Sequence, residues 1–292
     1  MHSYNSKHFL KIFFSVQKGD TLKVLAWPIL GMAIYAAVVY YLEVHFLHLD
    51  EDSRIKNLSL IHTLLAFVLS MLLVFRTNSA YDRWWEGRKL WGKLVNDCRN
   101  FAIKIHMLLA PEDAENRLFF QKSIAYFPHA LTEHLSKTTT EKALDVDYSD
   151  FESGILVHGP LEVTEQMTRR LIQLRNEGKL TDEQLIFLDT QLTGFMDVSG
   201  GCERIKNTPI PFSYSSFVKK FIVLYVLALP IAYVITIGWM MIPLTVFVFY
   251  VLMSLEVIAE EIEDPFNGDE NDLPIEKISQ NIERNVAHIF AH

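Results

Sequence analysis

Four uncharged, apolar runs limit how this chain can fold more than any other feature does. They span residues 24–42 (VLAWPILGMAIYAAVVYYL), 58–75, 221–238 and 240–255, and none contains Asp, Glu, Lys or Arg. A bilayer core about 30 Å thick needs roughly 20 apolar residues at the rise of an α-helix. Each run therefore predicts a membrane-spanning helix, and the last two, almost contiguous, predict a tight hairpin. The alternative is a soluble bundle that buries four such helices. The distribution of basic residues decides against it. Lys7, Lys11, Lys18 and Lys23 precede the first run. The loop after it carries Glu43, Asp50, Glu51 and Asp52 against Arg54 and Lys56. Arg76, Arg83, Arg88, Lys89, Lys93 and Arg99 follow the second run, and Arg204, Lys206, Lys219 and Lys220 precede the third. Basic residues collect on the cytoplasmic flanks of membrane helices. Both termini and the long middle region are thus expected in the cytosol. The N-terminal stretch lacks a short apolar region followed by a small-residue cleavage site, so the first span is expected to stay as an anchor.

Residues 76–216 are too many for a connector, and their apolar spacing is helical. Trp84, Arg88, Trp91, Leu94, Cys98 and Phe101 follow i, i+3, i+4 steps, which predicts that the second span runs on into a long cytosolic helix. AENRLFFQKSIAYFPHALTEHL reads as a helix interrupted at Pro128. VTEQMTRRLIQLRNEGKL carries start and stop signals at Thr164 and Gly178, and another helix begins at Thr181 or Asp182 with early acids. Twenty Phe, eleven Tyr and five Trp beside only twelve Gly and ten Pro argue for ordered, helical structure. The expectation is an all-α membrane protein: one domain over residues 1–292, four transmembrane helices, a helical cytosolic region over 76–216 and an acidic C-terminal segment over 256–292.

The chemistry that is missing narrows function. A formal charge of −8 works against nucleic-acid binding. Cys98 and Cys202 lie far apart with no CxxC context and read as buried thiols. HExxH, Walker, GxSxG and GxGxxG patterns are all absent from the sequence, which argues against an enzyme. No ionisable Asp, Glu, Lys or Arg interrupts the spans until Glu256, whereas coupled carriers usually place one near mid-membrane. A passive pore or a non-conducting scaffold or sensor for a cytosolic partner fits better.

Two constellations remain. Phe67, Met71 and Phe75 stand at i, i+4 and i+8 on the second span. They are either ordinary packing or, repeated around an axis, a hydrophobic constriction. The segment EEIEDPFNGDENDLP, 260–274, holds seven carboxylates in its first thirteen residues. It is either a solvated acidic linker or an oxygen cage for calcium or another hard divalent cation. It is not an EF-hand, because a loop started at Asp269 has Pro274 at the sixth position and Gln280 at the twelfth.

FRTNSAYDRWWEGRKLWG after the second span, TPIPFSY before the third and EIEDPFNGDENDLP after the fourth resemble the bestrophins, in particular their bacterial branch, in order and spacing. The resemblance covers nearly the whole chain. It implies a homopentameric ion channel whose second spans line a narrow neck at Phe67, Met71 and Phe75. Met71 departs from the aromatic residue of animal members. It also implies a cytosolic aperture near Leu185. The calcium clasp of animal members would correspond to the side chains of Asp269 and Asp272 and the carbonyls of Glu261 and Asp264, with acids replacing amides at 261 and 264. No cofactor is required for conduction. Arg76, Asn78, Tyr81, Arg83, Trp84 and Trp85 form the structural motif. Arg76 and Arg83 are expected at the inner headgroup level, with Tyr81, Trp84 and Trp85 as interface anchors. The family is best known for chloride and includes cation-conducting bacterial members, so the sequence leaves the permeant monovalent ion open.

Overall fold

The computed structural model describes residues 21–47, 58–136 and 159–291. Lys7, Lys11, Lys18 and the charged loop of Asp50, Glu51, Asp52, Arg54 and Lys56 lie outside them. The described residues are helical, with no strand among them. In chain order the helices are α1 (Thr21–Leu42), α2 (Leu58–Leu108), α3 (Ala114–His134), α4 (Gly159–Asn176), α5 (Asp182–Asn207), α6 (Phe212–Ile237), α7 (Met241–Glu263) and α8 (Ile275–Phe290). A π-turn, Glu43–Leu47, extends α1. The predicted continuity of the second span holds: α2 runs for 51 residues. Three helical runs are long and apolar enough to cross a membrane: Thr21–Phe46, Ser59–Leu108 and Phe212–Glu263. The third contains α6 and α7, which pack on each other across a 3-10 turn at Gly238–Met240.

Three sequence expectations need correction. α3 passes through Pro128 without a break. A proline leaves the helix intact where packing outweighs one lost hydrogen bond, and Pro128 lies inside the core among Ile124, Phe127 and Leu131. α4 starts at Gly159, five residues before Thr164, whose hydroxyl instead donates to the Pro160 carbonyl within the helix. Its stop is as predicted, with Gly178 at φ +73°. Arg76 is the third correction and belongs to the site below. Thr181 does cap α5, in a reciprocal capping box with Gln184.

The chain divides into two compact units. Among the described residues, one comprises those within 21–82 and 209–263, the other those within 83–208 and 264–291. In the first unit Met32 of α1, Leu69 and Leu73 of α2, Val218, Ile222 and Val226 of α6 and Phe249 of α7 form the main core. Polar groups among these helices are bonded across them: Thr21 to Ser254 (2.9 Å), and the Tyr35 hydroxyl to the Leu227 carbonyl (2.9 Å). Such bonds replace the water that an apolar setting lacks. Outward-facing side chains such as Trp27, Leu60, Leu64 and Phe247 remain well exposed. So much apolar surface needs a cover of lipid or protein.

In the second unit an aromatic cluster sets the core. Phe101 meets Phe120 and Phe195 edge-on at 6.2 and 5.8 Å, and Phe127 stacks on Phe195 at 4.9 Å. α5 approaches α2 closely through a small residue: a Cβ on Gly201 would lie 2.9 Å from the Leu90 methyl carbons. Cys98 and Cys202 are fully buried here. Burial pushes the Cys98 thiol well above its ordinary range and Cys202 up to about 12. At neutral pH neither thiol is therefore expected to react with a maleimide or iodoacetamide while the protein is folded. Both should label once it is denatured, as mass spectrometry of the intact protein will show. Labelling of either in the folded state would contradict this packing.

Candidate functional site

Two opposite faces of α2 in the first unit define the candidate site. His62, Leu69, Leu73, Arg76 and Ala80 follow helical spacing and are buried. The opposite face carries Phe67, Met71 and Phe75, which are 67, 46 and 58 % exposed. The sequence left open whether this stripe packs inside the chain; it does not. The face is apolar from Leu60 through Leu64 to Phe75, then turns polar at Asn78 and Asp82, both exposed.

The buried face is fixed by polar bonds that a helix in lipid could not leave unmade. His62 Nε2 donates to the Tyr225 carbonyl (3.0 Å), and its ring stacks on Tyr225 at 4.0 Å. The Tyr214 hydroxyl donates to the Leu72 carbonyl at 3.1 Å, one residue from Met71. Below these, Arg76 is 1 % exposed. Its Nη1 lies 2.8 Å from Glu263 Oε2 and its Nε 3.4 Å from Glu256 Oε1. The other Glu263 oxygen accepts the Ile210 N–H at 2.7 Å. Arg76 is thus the centre of a buried ion-pair cluster and not a headgroup anchor. A guanidinium with two carboxylates nearby gains more from pairing in a low dielectric than from water.

Of the remaining motif residues, Arg83 and Trp84 are structural within the second unit. The Arg83 guanidinium donates to the carbonyls of Ile205 and Thr208, capping the end of α5. Trp84 Nε1 donates to the Asn271 carbonyl at 3.1 Å. Gly87 gives the neighbouring aromatic room: a Cβ there would sit 3.1 Å from Phe266 Cζ and 3.2 Å from Leu273 Cδ1. Tyr81 and Trp85 stay about half exposed, the form expected of interface anchors.

A sequence profile described as Bacterial/Fungal Bestrophin protein matches residues 1–288. The chain is a member of the bestrophin family. A voltage-dependent anion channel-forming protein of Mesorhizobium japonicum is 34 % identical over 96 % of this chain and 89 % of its own length. The voltage-dependent anion channel-forming protein YneE of Escherichia coli K12 is 31 % identical over 95 % of this chain and 90 % of its own. Among solved structures, a bacterial bestrophin homologue from Klebsiella pneumoniae superposes with a TM-score of 0.77 at 26 % identity, covering 92 % of this chain and 99 % of that one.

The second bestrophin stretch, TPIPFSY, thus supplies Tyr214 to the back of α2 and the Ile210 N–H to Glu263, and the third supplies Glu263 to Arg76 and Phe266 to Gly87. Sequence reasoning missed the roles of Glu256, Glu263 and Tyr214. The signal was there for the acids: Glu256 ends an uncharged run and Arg76 immediately follows another, and isolated charges at such positions find each other.

The acidic segment is a tight turn. Gly268 adopts φ +86°, and Asp272, 4 % exposed, points a carboxylate oxygen back to the Asp269 N–H at 2.8 Å. Burial raises its pKa to about 6, against the bonds it accepts from Asp269 and Gly268. Its other oxygen is buried without a hydrogen-bond partner. Asp264 accepts from the Phe266 N–H at 3.4 Å, and Asp269 is exposed. Glu261 is half-buried and belongs to the other unit. No group of three or more His, Cys, Asp or Glu side chains among the described residues is arranged to hold a metal ion. Leu185, in the first turn of α5, leans on the core, while Ile186 and Phe187 beside it are exposed.

Replacing Arg76 with Met would strand the Glu256 and Glu263 carboxylates. We expect Arg76→Met to destabilise the protein by about 3–5 kcal/mol, read as a fall in Tm in detergent. Adding Glu256→Leu should recover part of the loss. A variant as stable as wild type would refute the role given to the cluster.

Proposed function

We propose that this protein is a passive channel for small monovalent ions, assembled as a homopentamer in the cytoplasmic membrane. Each subunit crosses the bilayer four times, with both termini in the cytosol. The observation that carries this reading is the exposure of Phe67, Met71 and Phe75 on a helix whose opposite face is bonded into the subunit. An apolar stripe held outward by such a frame suits a constriction that gates by dewetting. The printed names of the relatives, anion channel-forming proteins, support conduction. The absence of nucleotide and hydrolase motifs from the sequence supports a channel in preference to an enzyme. The first turn of α5, at Leu185 with Ile186 beside it, is assigned the second, cytosolic aperture.

The acidic turn is assigned a calcium-binding role. Its donors are oxygens, as a hard cation requires, and the unpartnered buried oxygen of Asp272 supports the assignment. Asp269 and Asp272 would hold the ion, which would supply charge neutralisation and cross-linking of the turn. A calcium shell takes about six to eight oxygens, so backbone carbonyls and water must complete it.

Replacement of Phe67, Met71 and Phe75 by Ala is expected to raise conductance and leak in planar bilayers severalfold. A non-conducting scaffold predicts only lowered stability from the same change. Calcium is expected to raise the Tm of the wild type but not of Asp272→Asn. Equal shifts, or none in either, would remove the metal from this reading.

A further inference from the structure

The neck residues carry no charge, so a dewetting constriction at Phe67, Met71 and Phe75 cannot by itself tell a cation from an anion. The sign must come from the first fixed charge beside it. At about 100° per residue, Asp82 lies about 20° from both Met71 and Phe75 in helical projection, and about 10 Å along the axis from Phe75. It is exposed and makes no hydrogen bond or ion pair among the described residues. Asn78, between it and the neck, is likewise exposed and uncharged.

Along α2, the two positive charges next to the neck are already committed. Arg76 points into the subunit against two carboxylates. Arg83 is bound to the carbonyls that end α5, and Lys93 pairs with Asp197 at 3.1 Å. Arg88 and Lys89 are exposed but follow Phe75 by thirteen and fourteen residues, about 20 Å at helical rise. Salt screens charges over about 8 Å at physiological ionic strength, so at the neck Asp82, about half as far away, outweighs either of them.

Resting on the pore reading above, we propose that Asp82 sets the sign of the permeant ion. Repeated in each subunit around the axis, its carboxylates form a negative ring at the inner mouth of the neck that concentrates monovalent cations and repels anions. A mouth potential of about one kT multiplies cation and divides anion occupancy about 2.7-fold each, roughly sevenfold in their ratio.

The test is the reversal potential of the purified full-length protein in a planar bilayer under asymmetric sodium chloride. Wild type is expected to reverse on the sodium side. Asp82→Asn should lower the sodium-over-chloride permeability ratio about fivefold or more, Asp82→Lys should invert it, and the effect should shrink as ionic strength rises. Lys89→Gln should move the ratio much less. Because Asp82 is exposed and unpaired, these variants should elute and melt as wild type does. A conducting Asp82→Asn with an unchanged ratio, or a larger shift from Lys89→Gln, overturns the assignment to Asp82 alone. Silence from both wild type and the Phe67→Ala/Met71→Ala/Phe75→Ala variant overturns the pore reading and Asp82's role with it.

Discussion

The pairing of Arg76 with Glu256 and Glu263 is the interaction on which the candidate site depends. An arginine directly after an apolar membrane segment has two low-energy positions: in the headgroup layer, or buried against carboxylates. Here it takes the second. The choice fixes the rotation of α2 at the point where its exposed stripe ends, since Arg76 adjoins Phe75 and faces away from it. The Tyr214 bond to the Leu72 carbonyl and the His62 bond to Tyr225 fix the same rotation one and several turns earlier. With three polar attachments on one side, the apolar residues on the other are left as surface.

The bestrophin motifs divide their labour along the chain. Within the membrane-type unit they supply Arg76, Ile210, Tyr214 and Glu263, whose bonds are polar and wholly or partly buried. Within the second unit they supply Arg83, Trp84, Gly87, Phe266 and Leu273, which cap a helix end, hold a turn and fill a core. The arginines and tryptophans that crowd the end of the second apolar run therefore have different duties. Arg76 and Arg83 bond protein groups, Trp84 and Trp91 are drawn inward, and Tyr81 and Trp85 keep the exposure that a lipid interface uses.

Much of the architecture was legible because it rests on local, periodic chemistry. Uncharged runs marked the apolar helices, the i, i+3, i+4 spacing from Trp84 to Phe101 carried α2 past the second run, and Thr181 with Gln184 announced α5. Expectations failed where distant residues outvote local preference. Pro128 sits within a helix because the core around it compensates for its missing donor. Thr164 looks like a cap by type, yet the chain before it is already helical.

Residue order alone settles which segments are apolar helices, their succession along the chain, the absence of familiar enzyme motifs and the three motifs that mark the family. These follow from composition and periodicity, which need no partner. Tertiary structure decided which face of α2 is buried and which acids Arg76 meets, 180 and 187 positions away along the chain. It also decided that Asp82 remains unpaired beside an apolar stripe. Those outcomes depend on which side chains fill the space behind the helix, and one-dimensional spacing does not contain that information.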